Sequence, residues 1–242
     1  MSIVVPRRRF SPTEPEMMDH PHCDPAMLRE DLANLRRINK WFGGHSALLL
    51  GMNAVAKRIP PGDSVRILDL GTGSADHLPI LIRRLKKSGR QVEIVGIEKQ
   101  QQILEIARAM TSGIDEINIV DGDIRTPPFP DRSFDVVTAS LVLHHHSFED
   151  CVVILKEMKR LSKYGIVVND LQRSWVGAGV TWGFTHAFMR NPMTLHDSTL
   201  SVLRAFTWNE LSTMAKEAGL ERHAIFRHPF FRFVLVGWTD AL

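Results

Sequence analysis

Cysteine is scarce in this chain. Its 242 residues include two, Cys23 and Cys151, far apart and with no metal-ligand spacing between them. That leaves no disulfide framework and no cysteine zinc site. A thiol-poor chain of this kind is expected in a reducing compartment, by default the cytoplasm. Long apolar runs are missing as well. No segment reaches the ~18 uninterrupted apolar residues that would span a membrane. The first residues, Met-Ser-Ile-Val-Val-Pro and then a basic run, lack the apolar core expected of a signal peptide. The most apolar helical stretch, His45 to Ala56, is too short to cross and is expected to pack on the body of the protein. A strong charge of one sign is also absent: 30 Lys and Arg stand against 27 Asp and Glu, a net charge of +3. So small an excess gives no argument for a nucleic-acid partner, and Arg7-Arg8-Arg9, which could contact nucleic acid or a lipid surface, reads rather as a solvated tail.

The 44% of hydrophobic residues is enough to bury the core of one domain of ordinary size. Residues 1 to about 23 carry Pro6, Pro12, Pro15 and Pro21 and are expected to be irregular or poorly ordered. Asp24-Pro25 opens a helix, with Asp as the cap and Pro at the first helical position. Leu28, Leu32, Leu35 and Ile38 mark one face of it, and Gly43-Gly44 ends it. A second helix runs from about His45 to Arg58, stopped by Pro60-Pro61-Gly62. Residues 1–62 are therefore expected to form a flexible start and a helical cap outside the sheet. From there, 63–242, strands and helices alternate, the pattern of a parallel sheet covered on both faces. Strands are predicted near 65–70, 92–97, 116–120, 134–139 and 165–169, with helices near 76–87, 99–111 and 148–162. The end reads as a helix over 208–218 and strands over 222–227 and 231–238. Residues 171–207 interrupt the alternation with a long insertion, expected to be a helical lid or wall over a ligand.

Val65-Arg-Ile-Leu-Asp-Leu-Gly-Thr-Gly-Ser-Ala75 reads as a buried strand that runs into a glycine-rich turn. Such a turn lets the backbone approach a ligand closely, because glycine has no Cβ and accepts positive φ. The next predicted strand, Gln91 to Ile97, ends in Glu98. A glycine turn after one strand and an acid after the next is the pattern of a nucleotide-type cofactor site, the acid gripping ribose hydroxyls. Asp121-Gly122-Asp123-Ile124 and Leu141-Val142-Leu143-His144-His145 follow at later strand ends. With these motifs the stretch from about Ser64 to Trp238 resembles the class I S-adenosylmethionine-dependent methyltransferases of small-molecule type, similar to quinone-pathway and polyketide-tailoring enzymes.

The resemblance implies an α/β, Rossmann-like three-layer sandwich around a mostly parallel seven-stranded sheet whose last strand is antiparallel. It implies S-adenosylmethionine as cofactor and S-adenosylhomocysteine as product. Gly71, Thr72 and Gly73 would lie along the aminocarboxypropyl part, though the family often has a third glycine where this chain has Ala75. Asp69 would either order the turn or meet the cofactor's amino group. Glu98, followed by Lys99, would hold the ribose. Asp123 resembles the position that meets the adenine amino group, with Ile124 beside the ring and Asp121 as the competing candidate. Ser140 and Leu141 complete the expected cofactor set.

His144, His145 and His146 fall where the family places groups near the reactive methyl. Strand neighbours point oppositely, so the three are not expected to face one site together. One is expected to act as the base on a phenolic acceptor, His145 or His144 first and His196 from the insertion second, with Asp197 or Asp170 to orient it. No metal is expected, because adjacent residues rarely bite one ion. Trp175, Trp182, Phe184, Phe188 and Met189 would suit an apolar acceptor or, equally, a plain helix–helix core. The chain lacks the Asn/Asp-Pro-Pro-aromatic tetrapeptide of amino-group methylation, and no cysteine sits at a strand end as a nucleophile. Both absences disfavour nucleic acid. The expected reaction is methylation of an oxygen, or of an activated ring carbon, on a small aromatic, polyketide- or quinone-like molecule. The alternatives are an RNA or protein methyltransferase and a non-catalytic cofactor-binding subunit. The N-terminal helix pair could serve a homodimer.

Overall fold

In a computed structural model, which describes residues 5–239 apart from 21 and 63, the capping signals act as the sequence predicts. The Asp24 carboxylate accepts from the Met27 backbone N–H at 2.7 Å, and helix α1 (Pro25–Trp41) starts there. Pro25 has no N–H to leave unpaired in that first turn. Helix α2 (Gly44–Ala56) follows after a two-residue break.

The sheet is built of β1 (Val65–Leu70), β2 (Val92–Glu98), β3 (Ile117–Asp121), β4 (Phe134–Ser140), β5 (Ser162–Leu171), β6 (His223–His228) and β7 (Arg232–Trp238), in the order β3-β2-β1-β4-β5-β7-β6. The pairs from β3 across to β5 are parallel, and β7 runs antiparallel to both β5 and β6. The expected seven-stranded sheet with an antiparallel last strand is thus observed. Its central strands are apolar runs because both faces are covered. On one face α2 packs with α3 (Leu78–Lys86) and α4 (Gln101–Thr111). On the other lie α5 (Phe148–Leu161) and α8 (Trp208–Glu217). Helix α2 is therefore one layer of the sandwich, joined to the sheet through Leu48, Met52 and Val55. The cap proper consists of α1 and the segment before it.

The insertion forms two helices, α6 (Trp175–Phe188) and α7 (Pro192–Arg204), which pack on each other and, through α7, on α1. Residues 5–20 depart from expectation. Their backbone is irregular, with one 3-10 turn at Met17–Asp19, but it is tied down as a strap across α7. The Asp197 carboxylate accepts from the N–H groups of Met17 and Met18 at 2.9 and 3.0 Å. Arg8 donates to the carbonyls of Arg204 and His146, each at 2.6 Å, and lies 3.7 Å over the Phe206 ring. It is not part of a solvated tail. Prolines deny this segment a helix, and its hydrogen bonds go to distant parts of the chain instead.

Asp31, on α1, is fully buried where α1 meets α7. The Thr194 hydroxyl donates to its Oδ1 at 2.6 Å, while Oδ2 has no partner among the described residues. Burial pushes this carboxyl from 3.8 up to about 7. The folded protein therefore holds a proton that the unfolded chain has released above pH 4, and stability falls as pH rises toward 7. Asp31→Asn removes the penalty. Urea unfolding should show the variant more stable than the parent by about 2–4 kcal/mol at pH 8, with the two converging near pH 4.

Candidate active site

The strand order reverses between β1 and β4, and ligands of open parallel sheets bind at the carboxyl ends beside such a reversal. A cavity of about 640 Å³ opens there. The turn after β1 carries Gly71 at φ +64° and Gly73 at φ +56°. A Cβ on Gly71 would stand 2.9 Å from Val142 Cγ2, whereas one on Gly73 would meet nothing within 4 Å. The first glycine is thus required by close packing, and the second leaves its backbone open to the cavity. Thr72 is 2% exposed, and its hydroxyl has no partner among the described residues. Glu98 closes the turn from the side. Its Oε2 accepts from Gly73 N–H at 3.0 Å, and its Oε1 accepts from Lys99 and Gln100 N–H at 2.9 and 3.0 Å. Burial pushes this carboxyl above the usual range, against the pull of those three N–H groups.

Asp123 lines the same cavity, while Asp121, its competitor, is exposed and stands outside. Arg125 holds both Asp123 oxygens through Nε and Nη2, one edge of its guanidinium, at 3.1 and 2.8 Å, and Lys99 Nζ reaches Oδ2 at 2.9 Å. The Arg125 bonds keep the Asp123 carboxyl well below the usual range. Ile124, Ser140 and Leu141 complete this wall. All the expected cofactor residues line the cavity except Asp69. Asp69 is fully buried beneath the turn, where Thr138 Oγ1 donates to Oδ1 at 2.5 Å and His77 Nε2 stands 2.9 Å from Oδ2. It lies outside the cavity lining, where its carboxylate ties the turn to β4 and to His77. The sequence reading missed His77 and Asp76, which also reach the cavity. An acid at the end of β1 and a histidine at the start of the next helix were the available signal.

The opposite wall carries the histidines. Leu143–His145 is a 3-10 turn, not an extension of β4, so the alternation of a strand does not apply. His144, His145 and His146 all line the cavity, contrary to expectation. Their surroundings separate them. His144 Nδ1 is 2.6 Å from Asp170 Oδ1, and its backbone N–H donates to Oδ2 at 3.2 Å. His145 Nδ1 is 2.8 Å from Asp19 and 4.0 Å from Glu16, both on the strap. Burial alone would lower its pKa, but those carboxylates outweigh burial and raise it to about 10. His146 is lowered to about 4 by burial and by the charge of His145. His196 stands outside the cavity, half exposed, with Nδ1 2.7 Å from Asp197. It is removed as a candidate base, because α7 turns it to solvent. Both acids expected to orient a histidine do so, Asp170 for His144 and Asp197 for His196.

One ligand atom from each of Glu16, His144 and His145 falls within 4.8 Å of the others, a grouping that could hold a metal. A protonated His145 opposes that use, since an imidazolium offers no lone pair on either nitrogen. Aromatic side chains also reach the cavity. Phe184 from α6 and Phe230 and Phe231 from the β6–β7 turn line it. Trp175, Trp182 and Phe188 point away, 51%, 55% and 70% exposed, so they serve neither the cavity nor a helix–helix core. Among the described residues, no helix is long and apolar enough to cross a membrane.

Residues 61–219 match the model of the methyltransferase domain family. Demethylmenaquinone methyltransferase of Staphylococcus aureus is 33% identical over 110 residues, which take in 46% of this chain and 44% of that enzyme. The chain thus spans less than half the length of the curated relative it matches. Among solved structures, an S-adenosylmethionine-dependent methyltransferase from Aquifex aeolicus superposes with a TM-score of 0.58 at 17% identity, covering 89% of this chain and 98% of that one. Human N-acetylserotonin methyltransferase, in complex with S-adenosylmethionine, gives 0.60 at 15% identity over 88% of this chain and 56% of its own. These two show a shared fold. The glycine turn, the acid after β2 and the match across most of the sheet place this chain in the methyltransferase domain family, on the S-adenosylmethionine-dependent methyltransferase fold.

Proposed function

We propose that this protein transfers the methyl group of S-adenosylmethionine to an oxygen, or an activated ring carbon, of a small aromatic, polyketide- or quinone-like acceptor, with His144 as the base. The observation that carries the reading is the buried His144–Asp170 pair, which shares one cavity with the Gly71–Gly73 turn and Glu98. The name of the Staphylococcus relative favours a quinone-like ring among the acceptors.

When bound, the cofactor supplies a methyl group already activated by its sulfonium. The chain must then hold it, align the acceptor and keep water away. The open backbone face at Gly73 leaves room for the aminocarboxypropyl part. With three N–H groups on its carboxylate, Glu98 retains a lone pair on Oε2 for a ribose hydroxyl. Asp123, fixed by Arg125, would accept from the adenine amino group in place of the exposed Lys99 Nζ. A phenol with a pKa near 10 is scarcely ionised at neutral pH. With Nδ1–H donated to Asp170, His144 keeps Nε2 free to take the phenolic proton as the oxygen–carbon bond forms. Asp170 then stabilises the imidazolium. His145, already a cation, cannot accept that proton. Phe184, Phe230 and Phe231 would flank an aromatic ring.

The test is incubation with methyl-labelled S-adenosylmethionine, a panel of phenols and quinols, and, separately, total RNA and protein. Label in organic-extractable products supports the reading. Label confined to precipitated RNA or protein overturns it.

A further inference from the structure

The outer face of α6 is unlike the rest of the surface. Its 14 residues include no charged side chain apart from His186 as a potential cation. Trp175, Val176, Val180, Trp182 and Phe188 are each 48–70% exposed. Trp41, at the end of α1, and Phe230 extend the patch at 57% and 52% exposure. They are contiguous with it, because Phe184 lies between: its ring is 6.2 Å from Trp41, 5.0 Å from Phe188 and 4.7 Å from Phe42, which in turn meets Phe230 at 5.3 Å. Single exposed apolar residues are ordinary, but this many exposed along one helix mark an interaction surface.

Charge indicates the partner. From Leu32 to Ile59, from Leu171 to His196 and from Arg222 to Thr239, the three stretches that build this side contain no Asp or Glu, although the chain has 27. Arg37 and Lys40 are exposed in the last turns of α1, and Arg190 is exposed just beyond α6. Glu30, near the far end of α6, is engaged by Asn191 at 3.1 Å. A tryptophan-bearing apolar face edged by cations and cleared of acids matches the boundary of an anionic bilayer, where indole rings settle at headgroup depth. The face also reaches the cavity. Val180 and Phe230 are half exposed and at the same time line it.

We propose that α6, with Trp41 and Phe230, docks on an anionic phospholipid surface. Resting on the function proposed above, we infer that its acceptor is a lipophilic ring taken from that bilayer past Val180 and Phe230. Docking itself needs neither cofactor nor acceptor, so it can be tested apart from catalysis. The full chain is floated with phosphatidylcholine vesicles, with and without phosphatidylglycerol. The expected result is binding that requires phosphatidylglycerol and weakens with salt. The double variant Trp182→Ser/Phe188→Ser should bind at least about tenfold more weakly, and Arg37→Glu/Lys40→Glu should lose the dependence on anionic lipid. Neither pair lines the cavity, so both variants should keep their circular dichroism and their turnover on a water-soluble phenol.

Three results would overturn the proposal. One is a parent that does not float with anionic vesicles. Another is an apolar variant that binds as the parent does. The third is a parent dimer that the apolar substitutions make monomeric, which would assign the face to a second copy of the chain. Vesicle binding without methyl transfer to any small acceptor would support docking and sink the functional reading alone.

Discussion

Replacing His144 by alanine lowers kcat by about a hundred- to ten-thousandfold and leaves the affinity for S-adenosylmethionine unchanged. The separation of the two effects follows from position. His144 stands on the turn after β4, while Gly71, Gly73, Glu98 and Asp123 lie at the ends of β1, β2 and β3. The Asp170 carboxylate meets both the ring and the backbone N–H of His144, so it fixes the tautomer as well as the orientation. Asp170→Asn keeps the shape and loses the charge, and kcat should fall by about ten- to a thousandfold. Loss of cofactor binding together with turnover would reassign His144 to a structural role. His145→Ala should behave differently, because its cation neutralises Asp19 and Glu16 on the strap. Its loss takes the facing cation from Asp19, though Glu16 keeps Arg204 and Ser201, and lowers stability before it lowers chemistry.

Glu98→Ala weakens cofactor binding by about ten- to a hundredfold and leaves kcat at saturating cofactor within a few-fold of the parent. Three backbone N–H groups lose a charged acceptor, and each such bond contributes about 1.5–3 kcal/mol. Part of that loss appears as a looser Gly73 turn, and part as a missing acceptor for a ribose hydroxyl. Titration calorimetry with S-adenosylmethionine and with S-adenosylhomocysteine measures it. An unchanged Kd would remove Glu98 from the cofactor site. Because burial raises this carboxyl, the parent's affinity should begin to fall on acidification at a higher pH than an ordinary glutamate would dictate.

Residues whose roles are local were legible in the sequence. Asp24-Pro25 set the start of α1 by one side-chain bond and one missing N–H. The period-two and period-3.6 patterns placed the seven strands and the α3, α4, α5 and α8 helices within a few residues of where they lie. Gly71, Glu98 and Asp123 were legible because a parallel sheet puts successive strand ends on one edge. What failed depended on distant partners. Nothing near Arg8 or Glu16 in the chain announces that Arg204, Ser201 and His145 will meet them. The three histidines were judged by strand geometry, and a single 3-10 turn changed which way they face. The α6 aromatics were read as inward because hydrophobic residues usually are. A helix apolar all round gives no periodic signal of which side is exposed.

The contact between Gly71 and Val142 links the two halves of the reaction. Val142 immediately precedes the turn that bears His144, and its methyl group occupies the space a side chain at position 71 would need. The loop proposed to receive the cofactor and the loop that bears the proposed base therefore share one van der Waals boundary. A displacement of the glycine turn would be felt at the histidine turn within a single layer of atoms, so on the proposed function the base would be set in register by the same fold element that admits the methyl donor.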